Sequence, residues 1–272
     1  MPDPAAIPDP GPRVVEASPS VEDRPGGWRV HRFARIDSTN RWLLDRARAG
    51  APERTVAVAD HQSAGRGRLG RTWEALPGSS LLVSVLLRPT AGPDLLGRST
   101  MAVGLALTDA LFSVAGLEAG LKWPNDLVVA DRKLAGVLAE SDLVGGRVRA
   151  VVVGAGVNLQ TDAVPSDLGS VATSCEAVTG RAPDRDALLV AFLEALDHRL
   201  APGVDLPAAL RERSATLGRR VRVDRGGGRR MEGSAVGILD HGELVVRLDD
   251  GTEVTVAVGD VVHLRAVDGP AS

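Results

Sequence analysis

The hydrophobic positions from Trp28 onward follow two spacings, one typical of strands and one typical of helices. Compact apolar runs predict strands at 28–36, 54–60, 80–88 and 147–159. Apolar positions three or four residues apart predict helices at 37–50, 95–116, 184–200 and 206–218. Two further apolar runs at 126–142, around a short turn at Asp131 and Arg132, predict a hairpin.

The spacing changes after Gly218. Short β-like runs at 219–224, 231–240, 243–248, 252–258 and 261–265 are separated by glycine- and aspartate-rich turns. Such close spacing predicts a small β-barrel of about 50 residues. We therefore place a domain boundary near residue 216, with a first domain at 28–216 and a second at 217–268.

The first 27 residues have a different composition. They contain seven of the 17 prolines and few large apolar residues, which predicts a disordered tail at 1–27. This segment lacks the basic start and apolar stretch of a secretory signal. Since no apolar run in the sequence approaches the ~20 residues that span a bilayer, we expect a soluble cytoplasmic protein that binds no membrane.

Charge and cysteine content narrow the chemistry. The chain has 32 Lys and Arg against 35 Asp and Glu, a net charge of −3, so any anion site must come from local clustering of cations. Cys175 is the single cysteine, which excludes an intramolecular disulfide. The sequence around Cys175, VATSCEAVTG, predicts an ordinary helix segment and makes a catalytic thiol the less favoured interpretation.

One candidate site is the stretch HQSAGRGRLGRTW, His61–Trp73, which follows a predicted strand. Its glycines have the spacing G-x-G-x-x-G and alternate with three arginines. A dinucleotide-binding turn would open a helix after the third glycine, because the pyrophosphate rests on the helix N-terminus. Here RTWEALPGSS and another strand follow, and no acidic residue ends that strand. We therefore reject a dinucleotide-binding fold.

Three other interpretations of this stretch remain. A nucleic-acid-binding segment would need aromatic stacking partners, but aromatic residues make up 3% of the chain, with no tyrosine. The second interpretation is a basic, mobile surface loop that binds no ligand. The third is a loop that binds an anionic ligand, because glycines let the backbone approach it and arginines bind carboxylate or phosphate in a bidentate way.

Two further segments combine polar residues with strands. KWPNDL, 122–127, brings a lysine, an amide and a carboxylate together, and Lys133 follows at the start of the next strand. GAGVN, 154–158, ends the most apolar strand with small residues and an amide. Without a function, Lys133 would be a solvated lysine and the small residues of 154–158 would allow close strand packing. With a function, Lys133 would supply a fixed ammonium and 154–158 would form the floor of a ligand site.

Taken together and in order, five segments resemble the biotin–protein ligase family: DSTN (37–40), HQSAGRGRLGRTW (61–73), KWPNDL (122–127), RKLAGVLAE (132–140) and GAGVN (154–158). The resemblance covers roughly residues 30–265. It implies an α/β (α+β) fold, with a mixed-sheet catalytic domain like that of class II synthetases and then a small SH3-like β-barrel.

The resemblance also implies the reaction. Biotin and ATP, with Mg²⁺, would give biotinyl-5′-AMP and pyrophosphate. The acyl group would then pass to a lysine of a biotin carboxyl carrier domain in an acetyl-CoA or related acyl-CoA carboxylase. Family members that lack a repressor domain are monomers or ligand-induced dimers, so we expect a monomer or a weak dimer.

Residue roles follow from the matched segments. The implied catalytic residues are Lys133, Arg66 and Asp126. The implied biotin-binding residues are Ser38, Thr39, Asn40, Gln62, Arg66, Gly67, Arg68, Lys133 and Gly136. The implied nucleotide-binding residues are Arg68, Arg71, Trp73, Lys122, Asn125 and Asn158. The magnesium ion would enter with ATP, near Asp126.

These residue types suit the implied chemistry. Arg66, Lys133 and Mg²⁺ would neutralise the repulsion between the biotin carboxylate and the α-phosphate. The acceptor lysine must attack as a neutral amine although its ordinary pKa is about 10.4. Asp126 could accept that proton. A loop closing over the site would keep water away from the acyl-adenylate.

Several alternatives stay open on the sequence. A lipoate–protein ligase or octanoyltransferase has a related fold, although GRGRLGR and KWPNDL resemble the biotin branch. A non-catalytic sensor of biotin or nucleotide would not need Lys133 and Arg66, and an Arg-Gly RNA binder is the third rival. Some family members are also repressors with a helix-turn-helix domain. Because 27 proline-rich residues are too few for one, we expect no DNA binding.

Overall fold

The computed structural model describes residues 19–89, 95–224, 230–257 and 259–263. Its larger sheet has eight strands in the order β1-β2-β3-β4-β8-β7-β6-β5. Their bounds are β1 (Ser20–Arg24), β2 (Trp28–Ile36), β3 (Thr55–Gln62), β4 (Ser80–Leu87), β5 (Gly120–Lys122), β6 (Asp126–Val129), β7 (Arg132–Val144) and β8 (Arg147–Asn158). The pair β2–β3 is parallel and the other pairs are antiparallel, so the sheet is mixed.

Five helices accompany the strands: α1 (Thr39–Arg48), α2 (Leu95–Ala115), α3 (Cys175–Thr179), α4 (Arg185–Leu200) and α5 (Leu206–Glu212). The main hydrophobic core includes α2 and α4, which pack against each other and against one face of the sheet. A smaller core includes α1 on the other face, where Ala150 and Val152 of β8 point. The two cores show that both faces of β8 are buried, as its continuous apolar run predicts.

The helix predicted at 37–50 is present as α1, which begins at Thr39. Ser38 is its N-cap, and its side chain accepts a hydrogen bond from the backbone N–H of Arg41. The helix buries Trp42 and Leu43 against the sheet. It ends at Arg48, and Gly50 follows with φ of 87°, a left-handed conformation that favours glycine. The cap therefore fixes the DSTN segment at the start of α1, beside the part of the sheet face that α1 does not cover.

The smaller sheet has five antiparallel strands in the order β12-β11-β10-β9-β13. Their bounds are β9 (Arg220–Asp224), β10 (Arg230–Ile238), β11 (Leu244–Arg247), β12 (Glu253–Val256) and β13 (Asp260–His263). Their buried valines and leucines form a separate core, which also contains Trp123 from the first region. The indole of Trp123 donates a hydrogen bond of 2.8 Å to the carbonyl of Gly242. The second sheet is thus anchored to the KWPNDL segment.

The structure corrects the tail predicted at 1–27. Ser20–Arg24 forms an edge strand paired with β2, because backbone bonding and ion pairs offset the lack of large apolar side chains. Glu22 lies 3.0 Å from Arg24 and 2.7 Å from Arg32. The prediction of disorder is therefore wrong for residues 20–27. Residues 1–18 lie outside the described residues.

Three smaller predictions also need correction. The last predicted helix ends at Glu212, because Leu121 of β5 bonds to Arg213 and Ala215 and holds the chain extended there. The hairpin turn consists of Ala130 and Asp131, with Arg132 already in β7. Finally, the sequence analysis found no apolar run long enough to span a bilayer, but α2 is long and apolar enough by length and composition. It packs in the core, where 61% of its apolar window is buried. The predicted domain boundaries stay predictions.

Candidate functional site

A cavity of about 350 Å³ lies on the sheet face that α1 covers in part. Strand β8 forms its floor with Gly154 and Gly156, which pair with Leu138 and Gly136 of β7. Because side chains alternate along a strand, these four residues share one face of the sheet. The absence of side chains at three of them leaves room for a ligand. The GAGVN segment therefore forms a cavity floor.

The glycine–arginine loop, residues 65–73, covers this floor as a hairpin-like turn. The backbone N–H of Trp73 donates to the carbonyl of Gly65 at 3.0 Å, and that of Gly67 donates to the carbonyl of Arg71 at 2.7 Å. A Cβ at Gly65 would lie 2.3 Å from the carbonyl oxygen of Trp73, so glycine is required there. No α-helix follows the loop, and β4 comes next. The rejection of a dinucleotide-binding turn is confirmed.

Lys133 occupies one end of the cavity. Its Nζ lies 2.7 Å from Asp126 Oδ1 and 5.4 Å from the centroid of the Trp73 ring. Its backbone is bonded on both sides, since its N–H donates to Val171 and its carbonyl accepts from Thr173, both at 2.8 Å. This fixed ammonium beside a carboxylate excludes the interpretation of Lys133 as a freely solvated side chain.

The indole of Trp73 lies directly over the glycine floor. A Cβ at Gly156 would be 2.4 Å from Trp73 Cε2, and one at Gly136 would be 3.1 Å from Trp73 Cζ3. Trp73 Nε1 is buried without a hydrogen-bond partner among the described residues. The ring therefore depends on these two glycines for its position.

The opposite end of the cavity is polar. Gln62 Oε1 accepts the backbone N–H of Thr39 at 2.7 Å and lies 2.9 Å from the Thr39 hydroxyl. Asn40 donates to the carbonyl of Leu138 at 3.1 Å and to Glu140 at 2.9 Å. Ser38 also lines the cavity, so all of the predicted biotin-side residues of α1 and β3 meet here.

The two arginines predicted to face the anions have different partners. Arg66 Nη1 lies 2.9 Å from Glu140, at the polar end of the cavity. Arg68 donates to Asn125 at 3.2 Å and lies 3.9 Å from Asp260. Burial lowers the pKa of the Arg68 guanidinium, and the nearby carboxylates oppose that shift. Arg68, rather than Arg66, therefore lies on the Asn125 side.

The smaller sheet contributes to the cavity through Asp260, Val261 and Val262 of β13. Asp260 pairs with both Arg68 and Arg71 of the loop. Sequence inspection missed Asp260, because nothing local distinguishes it from other surface carboxylates. It also missed Glu140, although Gly136, Leu138 and Glu140 share one strand face and that spacing signals a common cavity.

Most of the predicted residues line the cavity, and one does not. The predicted residues on its wall are Ser38, Thr39, Asn40, Gln62, Arg66, Gly67, Arg68, Arg71, Trp73, Lys122, Asn125, Asp126, Lys133 and Gly136. Asn158 is buried, and its amide donates to the carbonyl of Thr173 at 3.0 Å. In this structure Asn158 supports the segment beside Lys133. Its predicted contact with a nucleotide has no counterpart in the lining.

Two other chemistries find no support among the described residues. Cys175 is buried in α3, and burial raises the pKa of its thiol to about 12, which keeps it protonated at neutral pH. No group of three or more His, Cys, Asp and Glu side chains in the part of the chain that the structure describes could hold a metal ion by itself.

Comparison with known proteins relates this geometry to a family. The profile of the Biotin/lipoate A/B protein ligase family matches residues 32–158, and that of the Biotin protein ligase C terminal domain matches residues 216–264. A biotin–[acetyl-CoA-carboxylase] ligase of Mycobacterium tuberculosis is 39% identical over 249 residues, with 88% of this chain and 91% of the relative covered. One of Paracoccus denitrificans is 35% identical, with 83% and 97% covered.

Solved structures agree. The biotin protein ligase of Aquifex aeolicus in complex with biotin and ATP superposes with a TM-score of 0.75 at 26% identity, covering 86% of this chain and 99% of that one. The two profiles and this superposition therefore extend over both the larger and the smaller sheet. The chain belongs to the Biotin/lipoate A/B protein ligase family and, within it, to the biotin protein ligases.

Proposed function

We propose that the cavity binds biotin and ATP, joins them as biotinyl-5′-AMP, and transfers biotin to a lysine of a biotin carboxyl carrier domain. The observation that carries this proposal is the pairing of Lys133 with Asp126 at 2.7 Å, at one end of a cavity whose other end presents an amide and hydroxyls. The ammonium of Lys133 can bind both the biotin carboxylate and the α-phosphate of ATP, the two anions that must react with each other. The polar end suits the cyclic urea of biotin.

In the first step the biotin carboxylate attacks the α-phosphorus of ATP, the bond to the β-phosphate oxygen breaks, and pyrophosphate leaves. Two anions must approach each other, so the step needs fixed cations. Lys133 and the arginines of the 65–73 loop supply them from positions already set by the fold. Because their carboxylate partners are Asp126, Glu140 and Asp260, the ligand must displace or share these ion pairs.

In the second step a carrier lysine attacks the acyl carbon of biotinyl-5′-AMP, and AMP leaves. The attacking amine has to be neutral and loses a proton as the amide forms. Asp126 supplies a carboxylate within 2.7 Å of Lys133, at the end of the cavity where the acyl carbon would lie. We assign to Asp126 the role of accepting that proton. Protonation would remove the negative charge of Asp126 and so free Lys133 to stay with the departing phosphate.

Magnesium would enter with the nucleotide. Mg²⁺ usually keeps several waters and binds through one or two carboxylates together with substrate phosphates. Asp126, with Asn125 beside it on the cavity wall, fits that requirement although no protein cluster holds a metal by itself. When bound, the ion neutralises charge on the phosphates of ATP.

The test is pyrophosphate release from MgATP with biotin, with lipoate, and with neither. We expect release that depends on biotin and leaves one bound adenylate per protein. Release with lipoate alone would move the chain to the lipoate branch of the family, which the name of the matching profile also includes. If neither acid gave pyrophosphate release, the result would contradict catalysis and favour a non-catalytic sensor of biotin or nucleotide.

Finer features of the proposal rest on the relatives. The five antiparallel strands of the smaller sheet support an SH3-like barrel, and the mixed sheet supports likeness to class II synthetases. The names of the relatives support a carrier domain of acetyl-CoA carboxylase as the acceptor. A cytoplasmic location is part of the same proposal. So is a monomer or weak dimer, which light scattering with and without biotin and ATP would test.

The absence of DNA binding remains a separate prediction. Two relatives from Bacillus are bifunctional ligase/repressors that match over 79% of this chain. A gel-shift measurement with the chain's own promoter DNA, at several salt concentrations, would test it. A salt-sensitive, sequence-specific shift would contradict the prediction.

A further inference from the structure

A continuous chain of polar contacts runs beneath the cavity from the glycine–arginine loop to helix α1. Glu140 begins it, with Oε1 at 2.9 Å from Arg66 Nη1 and Oε2 at 2.9 Å from Asn40 Nδ2. Asn40 Oδ1 lies 2.6 Å from the Ser84 hydroxyl, and that hydroxyl lies 2.7 Å from the hydroxyl of Thr39. Asn40, Ser84 and Thr39 are all buried, so their hydrogen-bond partners are mainly other protein groups.

Glu140 fixes the orientation of the Asn40 amide. An ionised carboxylate accepts hydrogen bonds at both oxygens and donates none. The carbonyl of Leu138, 3.1 Å from Asn40 Nδ2, is also an acceptor. Asn40 must therefore direct its NH₂ group toward these two acceptors. Its carbonyl oxygen then faces Ser84 and can only accept.

The contacts beyond Asn40 contain too few hydrogens. Three close oxygen–oxygen contacts follow in a row: Asn40 Oδ1 to Ser84 Oγ, Ser84 Oγ to Thr39 Oγ1, and Thr39 Oγ1 to Gln62 Oε1. The hydroxyls of Ser84 and Thr39 provide one hydrogen each. Gln62 Oε1 already accepts the Thr39 backbone N–H and is oriented as an oxygen by that bond. Three contacts thus share two hydrogens.

A buried cluster that lacks one hydrogen favours a ligand that brings one. Thr39 and Gln62 line the cavity, whereas Ser84 does not. If the Thr39 hydroxyl donates to Ser84 and the Ser84 hydroxyl donates to Asn40, no hydrogen lies between Thr39 Oγ1 and Gln62 Oε1. A ligand N–H directed between these two oxygens would donate to both. The Gln62 NH₂, which is not used by Thr39, can donate to a carbonyl next to that N–H. A carbonyl adjacent to an N–H is the pattern of a cyclic urea.

We propose that Glu140 is a positioning residue that sets the hydrogen-bond polarity of the biotin end of the cavity, acting through Asn40 and Ser84. The inference rests on the proposed function, because it takes the cyclic urea of biotin as the ligand group. Glu140 does not line the cavity, so it would act on the ligand through its neighbours. Its pairing with Arg66 also joins the loop to this cluster, so that loop position and ureido recognition depend on the same carboxylate.

The variant Glu140→Gln tests this polarity while keeping the size of the side chain. A glutamine has one accepting oxygen and one NH₂ group, so it cannot accept from both Arg66 and Asn40. If its NH₂ faces Asn40, the Asn40 amide turns over, loses its hydrogen bond to the Leu138 carbonyl and supplies the missing hydrogen to Ser84. The cluster is then complete without a ligand. We expect the dissociation constant for biotin to rise at least about tenfold.

The measurement is calorimetric titration without ATP, using biotin and a biotin analogue methylated on a ureido nitrogen, with each nitrogen tested in turn. The wild-type protein should bind biotin and strongly discriminate against at least one methylated analogue. In Glu140→Gln the ratio of the two dissociation constants should shrink several-fold. A residue with a merely structural role would weaken both ligands by the same factor and leave that ratio unchanged.

Two further variants complete the test. Ser84→Ala interrupts the chain at a fully buried position and should also reduce the discrimination, which keeps the inference testable if Glu140→Gln does not fold. Glu232→Gln is the matched control, because Glu232 pairs with Arg222 at 2.7 Å on the exposed surface of the smaller sheet. It should leave both dissociation constants at the wild-type values.

The outcomes separate this inference from the proposed function. If the wild-type protein binds biotin but Glu140→Gln and Ser84→Ala keep the wild-type discrimination ratio, Glu140 does not set the polarity and the inference is overturned. If the wild-type protein does not bind biotin at all, the proposed function fails and the inference fails with it. Reduced discrimination in both variants, with Glu232→Gln unchanged, supports it.

Discussion

At the scale of single residues, Lys133 shows how the fold prepares one charge. Its ammonium is held by Asp126 at 2.7 Å and its backbone by two hydrogen bonds of 2.8 Å. The ammonium therefore needs little rearrangement when the anions arrive, which is how a preorganised site lowers a barrier.

We expect Lys133→Ala to reduce the rate of adenylate formation by at least about 100-fold. The fold should survive, because the backbone bonds of Lys133 do not need its side chain. Single-turnover formation of biotinyl-5′-AMP gives the rate, and thermal unfolding checks the fold. The neighbouring cation of β7 provides a control, since Arg132 does not line the cavity and Arg132→Ala should keep the rate. Normal adenylate yield in Lys133→Ala would contradict the assigned role.

We expect Arg66→Gly to release the adenylate into solution at least about ten times faster than the wild-type protein does. The reason is that Arg66 ties the loop to Glu140 across the cavity, at 2.9 Å. Filtration of protein loaded with labelled biotin and ATP measures the release. Leu69→Gly is a control in the same loop, because Leu69 is 68% exposed and its φ of 55° suits glycine. Equal retention by Arg66→Gly and wild type would exclude loop closure by this anchor.

Sequence inspection located these residues through their segments but could not assign their partners. Lys133, Arg66 and Glu140 all belong to the five segments that resemble the family. Glu140, however, is 74 residues away from Arg66 and reaches it because β7 passes beneath the loop. Side-chain partners across such separations depend on strand order and register. A single sequence shows neither.

At the scale of elements, strand β8 combines two functions on its two faces. Val153, Ala155 and Val157 pack in the main core, whereas Gly154 and Gly156 form the floor of the cavity. Alternation along the strand keeps the two sets apart. A side chain added on the cavity face should therefore disturb the site without removing core contacts.

We expect Gly156→Ala to reduce adenylate formation at least about tenfold, because its Cβ would lie 2.4 Å from Trp73 and must displace the ring. The Michaelis constant for ATP, and tryptophan fluorescence with and without ligands, would report the displacement. Gly237→Ala in β10 is the matched control, since its Cβ would make an ordinary contact of 3.6 Å with Val245. Unchanged kinetics in Gly156→Ala would show that the Trp73 position is irrelevant.

The elements themselves were largely predictable, because local rules determine them. The apolar runs predicted β2, β3, β4 and β8, and apolar positions three or four residues apart predicted α1, α2 and α4. The edge strand β1 was missed, because its polar sequence contains no strand signal. It forms through pairing with β2 and ion pairs to Arg32, which are long-range contacts.

At the scale of the whole molecule, a polar junction connects the two sheets. Thr216 Oγ1 accepts the backbone N–H of Trp123 at 3.0 Å and lies 3.1 Å from His263 Nε2. Asp131, at the hairpin turn, is 3.6 Å from the other nitrogen of His263 and also pairs with Arg219. Because Trp123 itself lines the cavity, the junction lies next to it.

The junction should weaken in mild acid. Burial lowers the pKa of His263, Lys122 and Arg219 lower it further, and Asp131 opposes the shift. A histidine with a lowered pKa in the folded state contributes stability above its unfolded pKa of about 6.5. That contribution is lost as the pH falls below this value. Burial also lowers the pKa of His31, which acts in the same direction.

We expect the melting temperature of the wild-type protein to fall between pH 7.5 and 5.5 by about 2 °C more than that of His263→Gln. The difference between the two proteins isolates His263 from His31. His241→Gln is the control, because His241 is an exposed histidine of the same region. A parallel decline of wild type and His263→Gln would show that His263 does not titrate in the folded protein as we infer.

By itself, the sequence determined most of the segments that form helices and strands, and it determined which segments carry chemistry. Periodicity, caps and glycine spacing act over a few residues, so they are visible along the chain. Tertiary structure alone decided which charges meet. It placed Arg66 with Glu140, Arg68 with Asn125 and Asp260, and Trp73 over Gly156. These contacts join elements far apart in the chain, and their geometry follows from sheet order, register and the docking of the second sheet.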